Sequence, residues 1–81
     1  MTPREIGRPA KHSLTIRGHR TSVSLETPFW DEFRKIAEAE GKTLNALATE
    51  IDAQRGVEAG LASAIRVHVL EHLKARLRAA G

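Results

Sequence analysis

The chain contains no cysteine, so neither a disulfide nor a thiolate metal site can hold it together. It has no tyrosine and only three aromatic residues, Phe29, Trp30 and Phe33, too few to stack successive bases of a single strand. No apolar run approaches the ~20 residues of a membrane span, and the opening MTPREIGRPAKH lacks the apolar stretch of a secretory leader. No membrane partner and a cytoplasmic location are therefore expected. A glycine-rich phosphate loop is missing, and the serines lack a His/Asp arrangement that would make one a nucleophile. These absences leave a small binding domain, not an enzyme, with no cofactor. At 81 residues it sits near the lower limit at which one core holds a fold alone. Chains of that size often complete their core by oligomerising.

What is present is unevenly charged. The chain carries 13 Lys and Arg against 10 Asp and Glu, a net charge of +3. Residues 1–20 hold Arg4, Arg8, Lys11, Arg17 and Arg20 against Glu5, and the remainder is close to neutral. A basic N-terminal segment on a near-neutral body points to a polyanionic partner, although a solvated tail has the same composition. Residues 1–12, with Pro3, Gly7 and Pro9 and no periodicity, read as a flexible basic arm. Residues 13–81 read as a single domain.

Two alternating pieces follow, Leu14-Thr-Ile16 and Thr21-Ser-Val-Ser-Leu25, around Gly18-His19. They form either one long strand kinked at Gly18 or a hairpin turning near Arg17-Gly18-His19-Arg20. Thr27-Pro28 predicts a helix start, with Thr27 as cap, Pro28 at the first helical position, and Asp31 and Glu32 in the first turns. Phe29, Phe33, Ile36 and Ala37 share one face, and Gly41 supplies a left-handed cap at the end. Thr43 caps a second helix, where Leu44, Leu47, Ala48 and Ile51 follow helical spacing. A break at RGVEAG precedes a third helix from about Leu61 to Leu77. Its apolar set includes Ile65, Val67, Val69, Leu70 and Leu77, wider than one face requires, which predicts burial on more than one side.

The strand RTSVSLE, Arg20 to Glu26, poses the main question, because a lone strand leaves both backbone edges unpaired. If residues 14–16 do not pair with it, a second chain must. Two antiparallel copies would make a ribbon across a two-fold axis, with Val23 and Leu25 toward the helices and Arg20, Ser22 and Ser24 outward. A two-stranded ribbon fits the major groove of DNA, where Arg grips guanine with two bonds and Ser bonds several base edges.

The order of these parts adds more than their composition. A short alternating strand, a helix, Gly41-Lys42-Thr43-Leu44-Asn45 and a second helix resemble the ribbon-helix-helix family of bacterial and phage repressors, most clearly over residues 20–52. The wider pattern, GHRTSVSLE, FW, GKTLNALATEID and LASAIRVHVLEH, is similar to a subfamily of small proteobacterial proteins. The resemblance implies a mainly α fold with a short N-terminal β element: β-α-α plus an extra C-terminal helix, in an intertwined homodimer. It implies base contacts from Arg20, Ser22 and Ser24. Phosphate contacts would come from Lys42, Thr43, Leu44 and Asn45 at the start of the second helix, an anion site by its free N–H groups and dipole. By its charge, the basic arm from Arg4 to Arg17 would add sequence-independent affinity that falls with salt, with Arg17 a further phosphate contact. The dimer core would draw on Val23, Leu25, Leu47, Ile51, Ile65 and Val69. The family's second helix is usually long, whereas here it breaks near Gly56 and a third follows.

His68-Val-Leu-Glu71-His72 matches H-x-x-E-H, a zinc-protease signature, and sets two imidazoles on one helical face. A catalytic zinc also needs a third ligand and a cleft. The residues after His72, LKARLRAAG, contain no carboxylate side chain. Surface or interface histidines, with no metal, are the expectation for His68 and His72.

The leading expectation is a homodimeric regulator of transcription, associated with the nucleoid, that binds double-stranded DNA with a β-ribbon in the major groove. The rival is a protein-interaction module, antitoxin- or adaptor-like, that docks a partner through the third helix; exposed apolar surface on that helix would favour it.

Overall fold

The RTSVSLE strand finds its partner in its own chain. A computed structural model describes residues 8–55 and 60–80. Strand β1, Pro9–Ile16, pairs antiparallel with strand β2, His19–Glu26, over eight residues from Pro9↔Glu26 to Ile16↔His19 without a bulge. The loop between them is only Arg17-Gly18, and both residues have positive φ, 53° and 81°. Positive φ at both central positions is the type I′ turn, whose twist suits a hairpin. Gly18 adopts it freely, whereas Arg17 carries the steric cost of a left-handed L-residue.

The hairpin corrects one expectation and decides between two alternatives left open. The strand begins at Pro9, so residues 9–12, read above as arm, are the first half of β1; residues 1–7 of that arm lie outside the described residues. Pro9 is tolerated because it opens an edge strand and lacks only an N–H that β2 does not need. Of the two alternatives around Gly18 the hairpin is the one observed, so one edge of β2 is paired within its own chain.

Helix α1 spans Thr27–Ala39. Its cap is Glu26, not Thr27, so Pro28 falls at the second helical position and Asp31 and Glu32 lie beyond the first turn. The end of α1 is as expected and sharply defined. Gly41 is left-handed at φ 69°, its N–H donates to the Glu38 carbonyl at 3.1 Å, and the Lys42 N–H donates to the Ala37 carbonyl at 2.9 Å. That pair of bonds is a Schellman motif, which satisfies carbonyls the helix cannot satisfy itself. Two residues later Thr43 caps α2, Leu44–Gln54, its Oγ1 accepting the Ala46 N–H at 3.0 Å. Helix α3, Leu61–Ala80, runs three residues past the predicted end.

The hairpin forms one layer and the three helices the other. Leu14, Ile16, Val23 and Leu25 point from the sheet into a core closed by Phe33, Ile36 and Ala37 of α1, Leu47, Ala48 and Ile51 of α2, and Ile65 and Val69 of α3. Full burial of each large apolar side chain is worth ~1.5–3 kcal/mol. His12 stacks on Trp30, centroids 3.8 Å apart and planes 4° from parallel, and Trp30 tilts onto Phe33 at 5.6 Å. Val23, Leu25, Leu47, Ile51, Ile65 and Val69, expected in the dimer core, are buried within one protomer. Helix α3 departs from expectation in the other direction. Only Ile65 and Val69 are fully buried, while Val67, Leu70 and Leu77 are 57%, 53% and 73% exposed. A two-layer protomer offers α3 one neighbouring layer and leaves its back uncovered.

Candidate nucleic-acid interface

Strand alternation sends every second side chain of the hairpin away from the core, and register then decides which of them stand together. Lys11 lies opposite Ser24, Ser13 opposite Ser22, and Thr15 opposite Arg20. All six are exposed. These six carry four hydroxyls, one ammonium and one guanidinium; Pro9 and Glu26 share their side at the open end of the hairpin, where the Glu26 carboxylate is paired with Arg66. Side chains on one face recur every ~6.8 Å along a strand, close to two base-pair rises, and two strands ~4.8 Å apart fit a groove ~12 Å wide. Arg20, Ser22 and Ser24 stand on this face as the sequence predicted. Lys11, Ser13 and Thr15 were missed, although their signal was there: the period-2 pattern continues upstream of Leu14 through Lys11-His-Ser-Leu-Thr-Ile.

A two-residue hairpin loop makes its flanking residues the first hydrogen-bonded pair, and such pairs then alternate. By that rule the backbone groups of Thr15 point away from β2, and the Thr15 N–H donates to Asn45 Oδ1 at 2.9 Å. The same rule points the backbone N–H and C=O of Arg20, Ser22 and Ser24 to the other side, along the free edge of β2. Arg66 of α3 closes one end of that edge. Its Nε donates to Glu26 Oε1 at 2.9 Å, and its Nη2 to Glu26 Oε2 at 3.2 Å and to the Ser24 carbonyl at 3.5 Å. The hydrogen bond from Arg66, joined by the Glu26 backbone N–H, holds the Glu26 carboxyl below its ordinary value of 4.5. Arg66 lies 40 residues from Glu26, and no local sequence signal announced the pair.

The Asn45 bond draws the N-terminus of α2 against the outer edge of β1, so Thr43, Leu44 and Asn45, expected to contact phosphate, lie beside the hairpin. The roles divide, however. Thr43 Oγ1 is used by Ala46 and Asn45 Oδ1 by Thr15. Lys42 is not free for phosphate. Its Nζ lies 2.8 Å from Glu50 and 3.0 Å from Glu40, and hydrogen bonds to both carboxylates push its pKa up. The Lys42 bond also lowers the Glu40 carboxyl, with smaller help from His68 and His72. Arg17, at the hairpin tip, lies 3.5 Å from Asp52 and keeps 59% of its side chain exposed.

Among the described residues, the two histidines of HVLEH do not meet a third ligand, and no group of three His, Cys, Asp or Glu could hold a metal ion. His68 lines a groove of about 460 Å³ between α2 and α3, and Glu71 lies 4.0 Å from Lys74. No helix among the described residues is long and apolar enough to cross a membrane. No curated protein matches the chain, and no solved structure does. Residues 9–73 match the model of a family described as the ribbon-helix-helix domain.

Proposed function

Because the chain belongs to the ribbon-helix-helix domain family, whose members are in general DNA-binding modules, we propose that it is a sequence-reading regulator of transcription that binds double-stranded DNA as a homodimer. The observation that carries this reading is the outward face of the hairpin, six exposed polar or basic side chains in register, with the one carboxylate on that side, Glu26, paired to Arg66. In the dimer, the free edges of two β2 strands pair antiparallel about Ser22. Arg20 then lies opposite the partner's Ser24, which keeps the two guanidinium groups apart. Four strands span ~14 Å between outer axes, wider than the ~12 Å groove. The two central β2 strands therefore enter the groove, with Arg20 reading guanine and Ser22 and Ser24 refining the choice. Lys11, Ser13 and Thr15 stand at the groove's rims, beside phosphate. The Leu44 and Asn45 N–H groups and Arg17 hold the backbone on either side. The mechanism is binding alone, with no reaction, and its place in the cell is the nucleoid.

The test is fluorescence anisotropy with a labelled duplex from the gene's own upstream region and a scrambled duplex, across a salt series. Salt-sensitive binding that prefers the upstream duplex, with the preference lost in Arg20→Ala, supports the reading. No binding at low salt, or equal losses of specific and non-specific affinity in Arg20→Ala, overturns it. The second reading, a module that docks another protein through α3, is favoured by one observation: the uncovered apolar back of that helix.

A further inference from the structure

The free edge of β2 is a row of four residues, Arg20, Ser22, Ser24 and Glu26, whose backbone groups turn away from β1. The two ends of that row differ. At one end the guanidinium of Arg20 is exposed and has no ion-pair partner among the described residues. At the other end the Glu26 carboxylate accepts its own backbone N–H and two bonds from Arg66, which also donates to the Ser24 carbonyl. Arg66 is held in turn by α1, its guanidinium carbon 5.9 Å from the centre of the Phe29 ring. Both partners are largely covered, the Glu26 side chain 23% and the Arg66 side chain 31% exposed, so the pair is built into the protomer rather than loose on its surface.

In the proposed dimer β2 meets a second β2 across a two-fold axis. Outward side chains then stay outward only in registers that differ by steps of two residues. With Ser22 at the axis, Arg20 lies opposite the partner's Ser24. One slip of two sets Arg20 opposite the partner's Ser22 and brings the two guanidinium groups within ~7 Å along the strands, which their like charge opposes. The other slip sets Arg20 opposite the partner's Glu26, an opposite-charge pair formed twice by symmetry. A free Glu26 would favour that second slip, and it would neutralise the guanidinium that reads guanine. Arg66 removes the attraction. The Glu26 carboxylate already has its cation, and an incoming Arg20 would meet a guanidinium in its place.

We propose that Arg66 is a positioning residue for base reading: by holding Glu26 it sets the β2 register at Ser22, and with it the distance between the two Arg20 side chains and the spacing of the DNA half-sites they read. The role rests on the edge-paired dimer proposed for DNA binding. With Ser22 at the axis, four residues separate the two Arg20 positions along the strands, ~14 Å; the slip makes that six residues, ~20 Å. The increment of ~7 Å is about two base-pair rises. Arg66 itself touches no base and acts through Glu26.

The absence of native cysteine makes the register readable in the full-length chain. Ser22→Cys stands opposite itself only when Ser22 is at the axis, within the ~4.4–6.8 Å between α-carbons that a disulfide spans. Ser22→Cys mixed with Ser24→Cys stands opposite only in the slipped register. Mild oxidation of Ser22→Cys with Arg66 in place is expected to give a covalent dimer. In an Arg66→Gln background its yield should fall by roughly threefold or more, and the mixed pair should gain what it loses. Adding Glu26→Gln removes the carboxylate that draws the partner's Arg20 and should restore the Ser22 cross-link, a rescue that a merely structural role for the Arg66–Glu26 pair would not give. Selection from a pool of duplexes with varied half-site spacing supplies the second measurement: Arg66→Gln should prefer a spacing about two base pairs longer, and the double variant the wild-type spacing. Circular dichroism checks that each variant keeps the fold. An unchanged Ser22 cross-link and an unchanged spacing in Arg66→Gln would overturn the role of Arg66 and leave the dimer standing. No cross-link between β2 strands in any background would overturn the edge-paired dimer itself, and the role of Arg66 with it.

Discussion

The hairpin and α3 each turn one side to the core and one to solvent, yet their outer sides are opposite in chemistry. The hairpin's outer face carries four exposed hydroxyls and two exposed cations. The outer face of α3 is a leucine and valine stripe. On the hairpin the inward and outward sets differ as a half-buried sheet requires, so the outer face is explained by water and needs a partner only for its positive charge. On α3 the inward and outward sets are alike, and water alone does not account for the second. Exposure by itself is uninformative; the departure from what solvent would select is what identifies a surface made for something else.

The most severe way to break this contrast is to swap the chemistry of neighbouring hairpin positions. Leu25→Asp places a carboxylate at a fully buried site and is expected to cost more than ~3 kcal/mol, enough to unfold a domain of this size. Ser24→Asp, one residue away and exposed, should leave the thermal midpoint nearly unchanged and abolish DNA binding. Calorimetry and anisotropy on the same two samples check both statements. A folded Leu25→Asp protein would show that the inward face is not the core.

A step smaller, Arg20→Ala should lower affinity for the preferred duplex by about 1–3 kcal/mol and leave stability intact. Leu70→Ser on the back of α3 should leave affinity for an isolated site unchanged. Thr43→Ala should cost about 1 kcal/mol in denaturant melts through loss of the cap on Ala46. Acid sharpens the role of Arg66. The Glu26 carboxyl titrates lower in the folded chain than in the unfolded one, so its pair with Arg66 stabilises above the ordinary carboxylate value and the contribution fades as pH falls through the folded value. Melts of wild type and Arg66→Gln should therefore differ at neutral pH and converge in acid. The smallest effect is that of Leu70→Ser on monomer stability, expected within ~0.5 kcal/mol because the side chain is half exposed.

What the sequence made legible follows from the range of each signal. Thr43 and Gly41 act within four residues, and both caps were read correctly. Alternation placed Val23 and Leu25 inward and Arg20, Ser22 and Ser24 outward, because a period of two leaves only two sides to choose between. Kinked strand or hairpin at Gly18 stayed open, since the choice turns on Arg17 accepting positive φ, which no propensity favours. The arm was drawn to residue 12 because Pro9 and the basic residues masked the first half of β1. Lys42 was expected to contact phosphate; its ion pairs with Glu40 and Glu50 were not read, because these residues come together only when α1 and α2 meet at the Gly41 turn. The tie from Asn45 to Thr15 spans 30 residues and depends on the packing of α2 against β1, which no local pattern encodes.

The Arg17-Gly18 turn has a consequence in time. A hairpin closed by two residues forms in roughly 1–10 μs from its own chain, without waiting for an encounter. Only the contact between β2 strands in the proposed dimer waits for a collision. Here each protomer is born with its pairs Lys11–Ser24, Ser13–Ser22 and Thr15–Arg20 already in register. In the proposed dimer two preformed hairpins meet edge to edge, so their joining is docking of ribbons whose inner register is already set.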